Sequence, residues 1–204
     1  MAFELTAADR AAIANNDSQY INNKGAKYYA EEHYEPAVEY YRIAAAMGDM
    51  TSVCNLGYCY MYGRSIPKNM PLALQYFKIA ADRNEIDALY KLGSIYSHGA
   101  DGIEADPELG VYYYKRALDY VEYSGEDSLD YPGLYYHVGK ESMAGGILPT
   151  DLATAFSDLV IAYKGITREM ENGIGYHKKY YEDLKELLKQ PCFHRYQVDI
   201  DFLD

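Results

Sequence analysis

The 204-residue sequence has no tryptophan, only three cysteines, and 19 basic residues against 31 acidic ones. Each shortage excludes something. Cys54, Cys59 and Cys192 are odd in number and stand at no metal-ligand spacing, which argues against a disulfide framework. The formal charge of −12, with basic residues scattered rather than clustered, argues against nucleic acid and anionic membrane as partners. No apolar run approaches the roughly 20 residues that a bilayer span needs. The opening MAFELTAADR has neither the basic segment nor the apolar stretch of a signal peptide, so a soluble cytoplasmic protein is expected. No long low-complexity linker interrupts the chain, and one continuous folded unit is expected.

Catalytic signatures are equally scarce. The chain has no serine-nucleophile motif and no glycine-rich cofactor fingerprint, and its five histidines are scattered. His137 and Glu141 stand i, i+4, but HVGKE is not HExxH and no third ligand accompanies them, so they read as an ordinary exposed pair. Cys54 and Cys59 are five apart on a helix, point in different directions and read as small buried hydrophobes. No metal and no cofactor is expected.

What the chain does have is 25 tyrosines and an internal repeat. Leu56-Gly57-x-x-Tyr60-x-x-Gly63 recurs as Leu92-Gly93-x-x-Tyr96-x-x-Gly99, offset by 36 residues, and as Val138-Gly139-x-x-Ser142-x-x-Gly145, 46 residues further on. Downstream of each copy, Asn69, Asp106 and Asp151 fall at helix N-cap positions and Pro107 at a first helical position. Ala73, Gly110 and Ala155 follow, then Ala80, Ala117 and Ala162 seven residues later, with Tyr76, Phe77, Tyr113 and Tyr114 completing one helical stripe. Each unit is therefore helix, turn, helix. The longer third interval is accommodated at about Val121 to Asp130.

The paired glycines pose a choice. A phosphate loop requires Gly-x-x-x-x-Gly-Lys-Ser/Thr, whereas here Arg64, Ala100 and Gly146 follow the second glycine. A triplicated glycine instead predicts close helix crossing, read here as packing between successive hairpins.

In these residues the sequence resembles the Sel1-like repeat, a 36-residue relative of the tetratricopeptide repeat. The motif LGxxYxxG, the Asn/Asp-led second helix and the alanines of Ala73 to Ala81 and Ala44 to Gly48 carry the resemblance. The most amino-terminal unit, with Gly25, Tyr28, Tyr34, Ala37, Tyr41 and Ala44, looks closer to the tetratricopeptide form. The likeness covers about Asp17 to Gly165. The fourth unit departs most, with Ser142 where tyrosine is expected and Asp158 where an aromatic is expected.

The resemblance implies an all-α, right-handed α/α solenoid of about four hairpins over residues 17–165. Residues 1–16 form an N-terminal capping segment, and 166–204 a capping helix and acidic-apolar tail. Thr6 to Asp9 has capping-box character and opens a short helix through Ala14. Gly175 to Gln190 carries Tyr176, Tyr180, Leu184, Leu187 and Leu188 on one helical face that Pro191 ends. The tail alternation at Val198, Ile200 and Phe202 is compatible with a strand, a docked segment or a recognition motif.

In such solenoids the first helix of each unit lines a concave groove. The resemblance assigns to it Asn22, Ala26 and Tyr29; Cys54, Tyr58, Met61 and Tyr62; Tyr90, Ser94, Ser97 and His98; and Tyr136, Lys140 and Met143. Tyrosine and methionine suit partner binding through large contact area and adaptable shape. The expected function is noncatalytic binding of a protein or peptide, with the acidic surface favouring a basic or neutral one. The alternatives are a hydrolase using His98, His137 and Glu141, and a self-associating structural subunit. A secreted, cysteine-rich family subset binds cell-wall-derived compounds, but this chain lacks its paired cysteines.

Overall fold

The computed structural model describes residues 3–145, 150–175 and 177–199. Among these residues the fold is all-α, of the solenoid class, with no strand beyond an isolated bridge between Ala100 and Ile103. It divides into two compact units, residues 1–105 and 106–204.

The first unit holds α1 (Ala7–Ala14), α2 (Ser18–Ala30), α3 (Tyr34–Ala46), α4 (Met50–Tyr62), α5 (Met70–Ala81) and α6 (Ile86–His98). Local chemistry sets the boundaries. Thr6 and Asp9 form the reciprocal capping box that opens α1, and the side chains of Asp17, Asp49 and Asn69 accept from backbone N–H groups in the first turns of α2, α4 and α5. The two glycines of the repeat motif do different jobs. Gly63, at φ 69°, ends α4 in the left-handed conformation that glycine adopts without strain. Gly57 instead gives passage: a Cβ there would stand 2.7 Å from Cε1 of Phe77 on α5, the partner helix of the same hairpin. Gly25 on α2 likewise faces Tyr41 on α3 at 2.8 Å. At Gly25 and Gly57 the close crossing therefore lies within the hairpin, not between successive hairpins as the spacing alone suggested. A long interval between glycine and aromatic in the sequence becomes a direct contact once the hairpin closes. Ala37, Ala44, Ala73 and Ala80 are fully buried, and Phe77, Leu89 and Leu92 fill the space between helices at roughly 1.5–3 kcal/mol per side chain.

The second unit holds α7 (Pro107–Ser124), α8 (Pro132–Ala144), α9 (Leu152–Glu171) and α10 (Tyr181–Leu188), with 3-10 segments at Ser128–Asp130, Lys178–Tyr180 and Pro191–Asp199. Asp106 and Asp151 cap α7 and α9 as expected, with Pro107 at the start of α7. The segment read as an insertion is partly helix: α7 continues to Ser124 before Gly125 ends it at φ 71°. Beyond it, the Arg168 guanidinium of α9 donates to Asp127 and Asp130 at 2.5 and 2.7 Å, tying the insertion down. Gly139 repeats the crossing of the first unit, its absent Cβ lying 2.9 Å from Cγ of Leu159 on α9.

Two departures from the repeat pattern are buried here. Ser142 and Asp158 take positions where aromatics were expected. Asp158 Oδ2 has no hydrogen-bond partner among the described residues, and burial, with Asp151 nearby, pushes its carboxyl up to about 7. The carboxy-terminal helix is shorter than its sequence pattern suggested. Tyr180 lies in the 3-10 turn before α10 rather than on its face, and Tyr176 lies outside the described residues. Leu184, Leu187, Leu188 and Phe193 close this unit's core against Leu159 and Ile166. The expected strand at Val198 is instead a 3-10 segment, and Ile200 and Phe202 lie outside the described residues. Among the described residues, no helix is long and apolar enough to cross a membrane.

Candidate functional site

In the first unit, polar bonds hold the first helices of three consecutive hairpins side by side. Ser52 Oγ and Asn55 Nδ2 donate to Asn22 Oδ1 at 2.8 and 3.1 Å, joining α4 to α2. Thr51 Oγ1 donates to Glu85 Oε2 at 3.2 Å, joining α4 to the start of α6. Glu85 is pushed up to about 7 by burial and by neighbouring Asp87, so it is partly protonated near neutrality.

Between α4 and α6 lies a layered aromatic arrangement. The Tyr58 ring meets Phe77 edge-on at 5.1 Å and stacks on Tyr62 at 6.3 Å with an interplanar angle of 8°. Lys91 Nζ sits 5.3 Å from the Tyr58 ring and 5.1 Å from that of Tyr90, near enough for cation–π attraction to both. Burial, reinforced by Cys54 and Asp87, raises the Tyr58 hydroxyl well above its usual range and keeps it neutral. The base of the stack is thus fixed and the top is open: Tyr62 is 53% exposed. Met61 and Ser94 are half-buried beside it and His98 is exposed, its Nδ1 3.1 Å from the Ser94 carbonyl.

Other residues assigned to the groove lie deeper. Cys54 is 1% exposed and its thiol is pushed well up by burial and by Asp87 and Glu85, so it is a packing residue and not a nucleophile. Tyr90 is 8% exposed. Tyr29 packs at the far end of α2, against Tyr34 at 5.2 Å and Tyr41 at 6.4 Å.

In the second unit, Tyr136 and Lys140 are held by the carboxy-terminal segment. The Tyr136 hydroxyl donates to Asp183 Oδ2, Lys140 Nζ donates to both at 3.0 Å, and the Tyr136 ring stacks on Tyr180 at 4.2 Å. His137 Nε2 stands 3.4 Å from the Tyr180 hydroxyl. Among the described residues, no group of three His, Cys, Asp or Glu side chains is placed to hold a metal ion. Sequence reasoning missed Lys91 and Asp183, because each acts across a contact between separate helices that no local spacing encodes, and it placed Tyr180 only on a capping face.

The comparisons with known proteins agree with this architecture. The Sel1 repeat model matches residues 22–49, 52–85 and 86–119 in tandem. Residues 22–119 of this chain are Sel1 repeats in tandem. The hairpin of α8 and α9, the most divergent by sequence, falls outside the matched repeats while keeping the glycine crossing. Among solved structures, a Sel1 repeat protein from Oxalobacter formigenes is similar at 20% identity and a TM-score of 0.57, with 85% of this chain and 72% of that one covered. A protective antigen of uropathogenic Escherichia coli strains, displaying an SLR fold, is similar at 16% identity and a TM-score of 0.58 over 93% of this chain. The match spans 43% of that antigen's own length. These likenesses establish the fold. No curated protein matches by sequence.

Proposed function

We propose that this chain is a noncatalytic scaffold that binds a protein or peptide on the α4–α6 face of its first unit. The carrying observation is the exposed Tyr62, stacked on a Tyr58 that Phe77 and Lys91 hold in place. An aromatic side chain whose position is already fixed loses little freedom on binding, which is the character of an interface hot spot. Met61 offers adaptable apolar contact, while Ser94 and His98 supply a polar rim. The net charge of −12 steers a basic or neutral partner towards the chain. The polar residues considered for hydrolysis support this reading by their surroundings: His98 sits over the Ser94 carbonyl, and His137 is engaged with Tyr180 in the other unit.

The test is affinity capture with the parent protein and with Tyr62→Ala, the partners identified by mass spectrometry and their affinity then measured with purified material. Tyr62→Ala removes an exposed ring without opening the core. A loss of about 1–2 kcal/mol in binding at unchanged helical content is expected. An unchanged affinity removes this face as the binding surface.

A further inference from the structure

A second site lies elsewhere in the first unit, on helices the binding face does not use. The amino-terminal segment, the end of α2 and the start of α3 enclose a cleft of about 540 Å³. Its aromatic surface is the half-buried rings of Phe3 and Tyr28, backed by Tyr40, which is only 2% exposed. Tyr28 and Tyr40 stack at 5.5 Å with an interplanar angle of 8°, and Phe3 meets Tyr40 edge-on at 5.0 Å. Its polar lining is of one sign: Glu4, Glu35 and Glu39 line it, and none of the residues lining it is basic. Glu39 is engaged by Arg42 at 2.9 Å, but both side chains are more than a third exposed, so this pair is weak and exchangeable.

We infer that this cleft binds an organic cation, the alkylammonium or guanidinium side chain of a basic peptide. Aromatic faces carry negative electrostatic potential, and carboxylates beside them reinforce it, so a cation on an apolar stem satisfies both surfaces at once. An apolar ligand would strip water from carboxylates and give them no counter-charge, and an anion would be repelled. A bare metal ion is a poor fit because the aromatic wall offers it no oxygen ligands. The chain already uses this chemistry internally. Lys24 Nζ lies 5.0 Å from the Tyr40 ring centre while bonded to Asp9 at 2.6 Å, an ammonium held between a tyrosine face and a carboxylate. The site shares no residue with the α4–α6 face and does not depend on it.

The test is an NMR titration of the full chain, at low salt, with the capped peptides Gly-Gly-Lys-Gly-Gly, Gly-Gly-Arg-Gly-Gly and the norleucine analogue, reading the ring resonances of Phe3, Tyr28 and Tyr40. Saturable shifts are expected with lysine and arginine, and norleucine should bind at least tenfold more weakly. Glu35→Gln with Glu39→Gln, which alters only exposed or half-buried groups, should weaken lysine binding at least fivefold with the circular dichroism spectrum unchanged. Equal binding of norleucine and lysine overturns the inference, because the cleft would then be merely apolar. Shifts that do not saturate, or that the double substitution leaves intact, overturn it as well, because they report diffuse attraction to an acidic surface.

Discussion

Replacing Gly57 by alanine sets two effects of known size against each other. On helix propensity alone the substitution should stabilise, by up to about 1 kcal/mol, because alanine favours the helix and restricts the unfolded chain. The structure reverses the sign. The new methyl group would lie 2.7, 2.9 and 3.1 Å from Cε1, Cδ1 and Cζ of Phe77, where carbon atoms settle at about 3.5–4.0 Å. Phe77 is fully buried and carries Tyr58 edge-on at 5.1 Å, so its ring cannot swing aside without displacing that neighbour. Overpacking of this kind costs about 1–3 kcal/mol, leaving a net loss of about 1 kcal/mol and a melting temperature lower by about 3 °C. The assay is a set of thermal melts comparing the parent, Gly57→Ala, Phe77→Leu and the double variant. Gly175→Ala serves as a control, since a methyl group there meets nothing within 4 Å. In the Phe77→Leu background the ring is gone and the cost of the methyl should shrink towards zero. A higher melting temperature for Gly57→Ala, or the same cost in both backgrounds, would refute the crossing of α4 and α5 at this residue. Gly93→Ala, at the matching position of α6, should also melt lower than the parent.

Two further predictions concern buried carboxyl groups of opposite sign. Asp158, raised from 3.8 to about 7, leaves stability unaffected below about pH 4 and erodes it as pH rises towards 7; the gap corresponds to at most about 4 kcal/mol. Asp158→Asn should therefore be more stable than the parent at pH 8 and closely similar at pH 4, as read by urea denaturation; a variant destabilised at pH 8 would sink this account. Asp9 behaves in the reverse sense. Burial alone would raise it, but Lys24, Thr6 and Tyr40 hold it at about 2, so it stabilises the fold above about pH 4 and less as pH falls from 4 towards 2. Asp9→Ala should cost about 3 kcal/mol at pH 7, with the difference from the parent narrowing in acid; a difference independent of pH would show that its charge is immaterial.

The repeat was legible in the sequence because its signals are local. N-caps at Asn69, Asp106 and Asp151, the capping box at Thr6 and the glycine spacing all act within a helix or a single turn, and the structure forms each of them. The direction of the glycine crossing was not legible, because Gly57 and Phe77 are twenty residues apart and periodicity does not say which neighbouring helix a face meets. Depth was misread for a related reason. Cys54, Tyr58 and Tyr62 share one stripe of α4, yet the first is almost entirely covered and the last is half open. The aromatic cleft escaped notice because Phe3 and Glu4 acquire meaning only when the amino-terminal segment returns to α3.

The same three side-chain types secure a short terminal helix in each unit. In the first, buried Tyr40 donates to Asp9 of α1 at 2.9 Å, and Lys24 bonds the same carboxylate at 2.6 Å while lying 5.0 Å from the Tyr40 ring centre. In the second, buried Tyr136 donates to Asp183 of α10, and Lys140 bonds that carboxylate at 3.0 Å while lying 4.9 Å from the Tyr136 ring centre. Tyrosine and lysine come from the hairpin in both cases, and the aspartate comes from an eight-residue helix. Helices of that length do not persist alone in water, so α1 and α10 exist because they dock. Apolar packing supplies attraction but little register. A tyrosine hydroxyl and an ammonium that share one acceptor accept only one position of the arriving helix, since a shift by one residue would leave both without the carboxylate. Part of the unusual tyrosine content thus has a structural purpose: at Tyr40 and Tyr136 the ring closes the core while the hydroxyl fixes where the terminal helix stops.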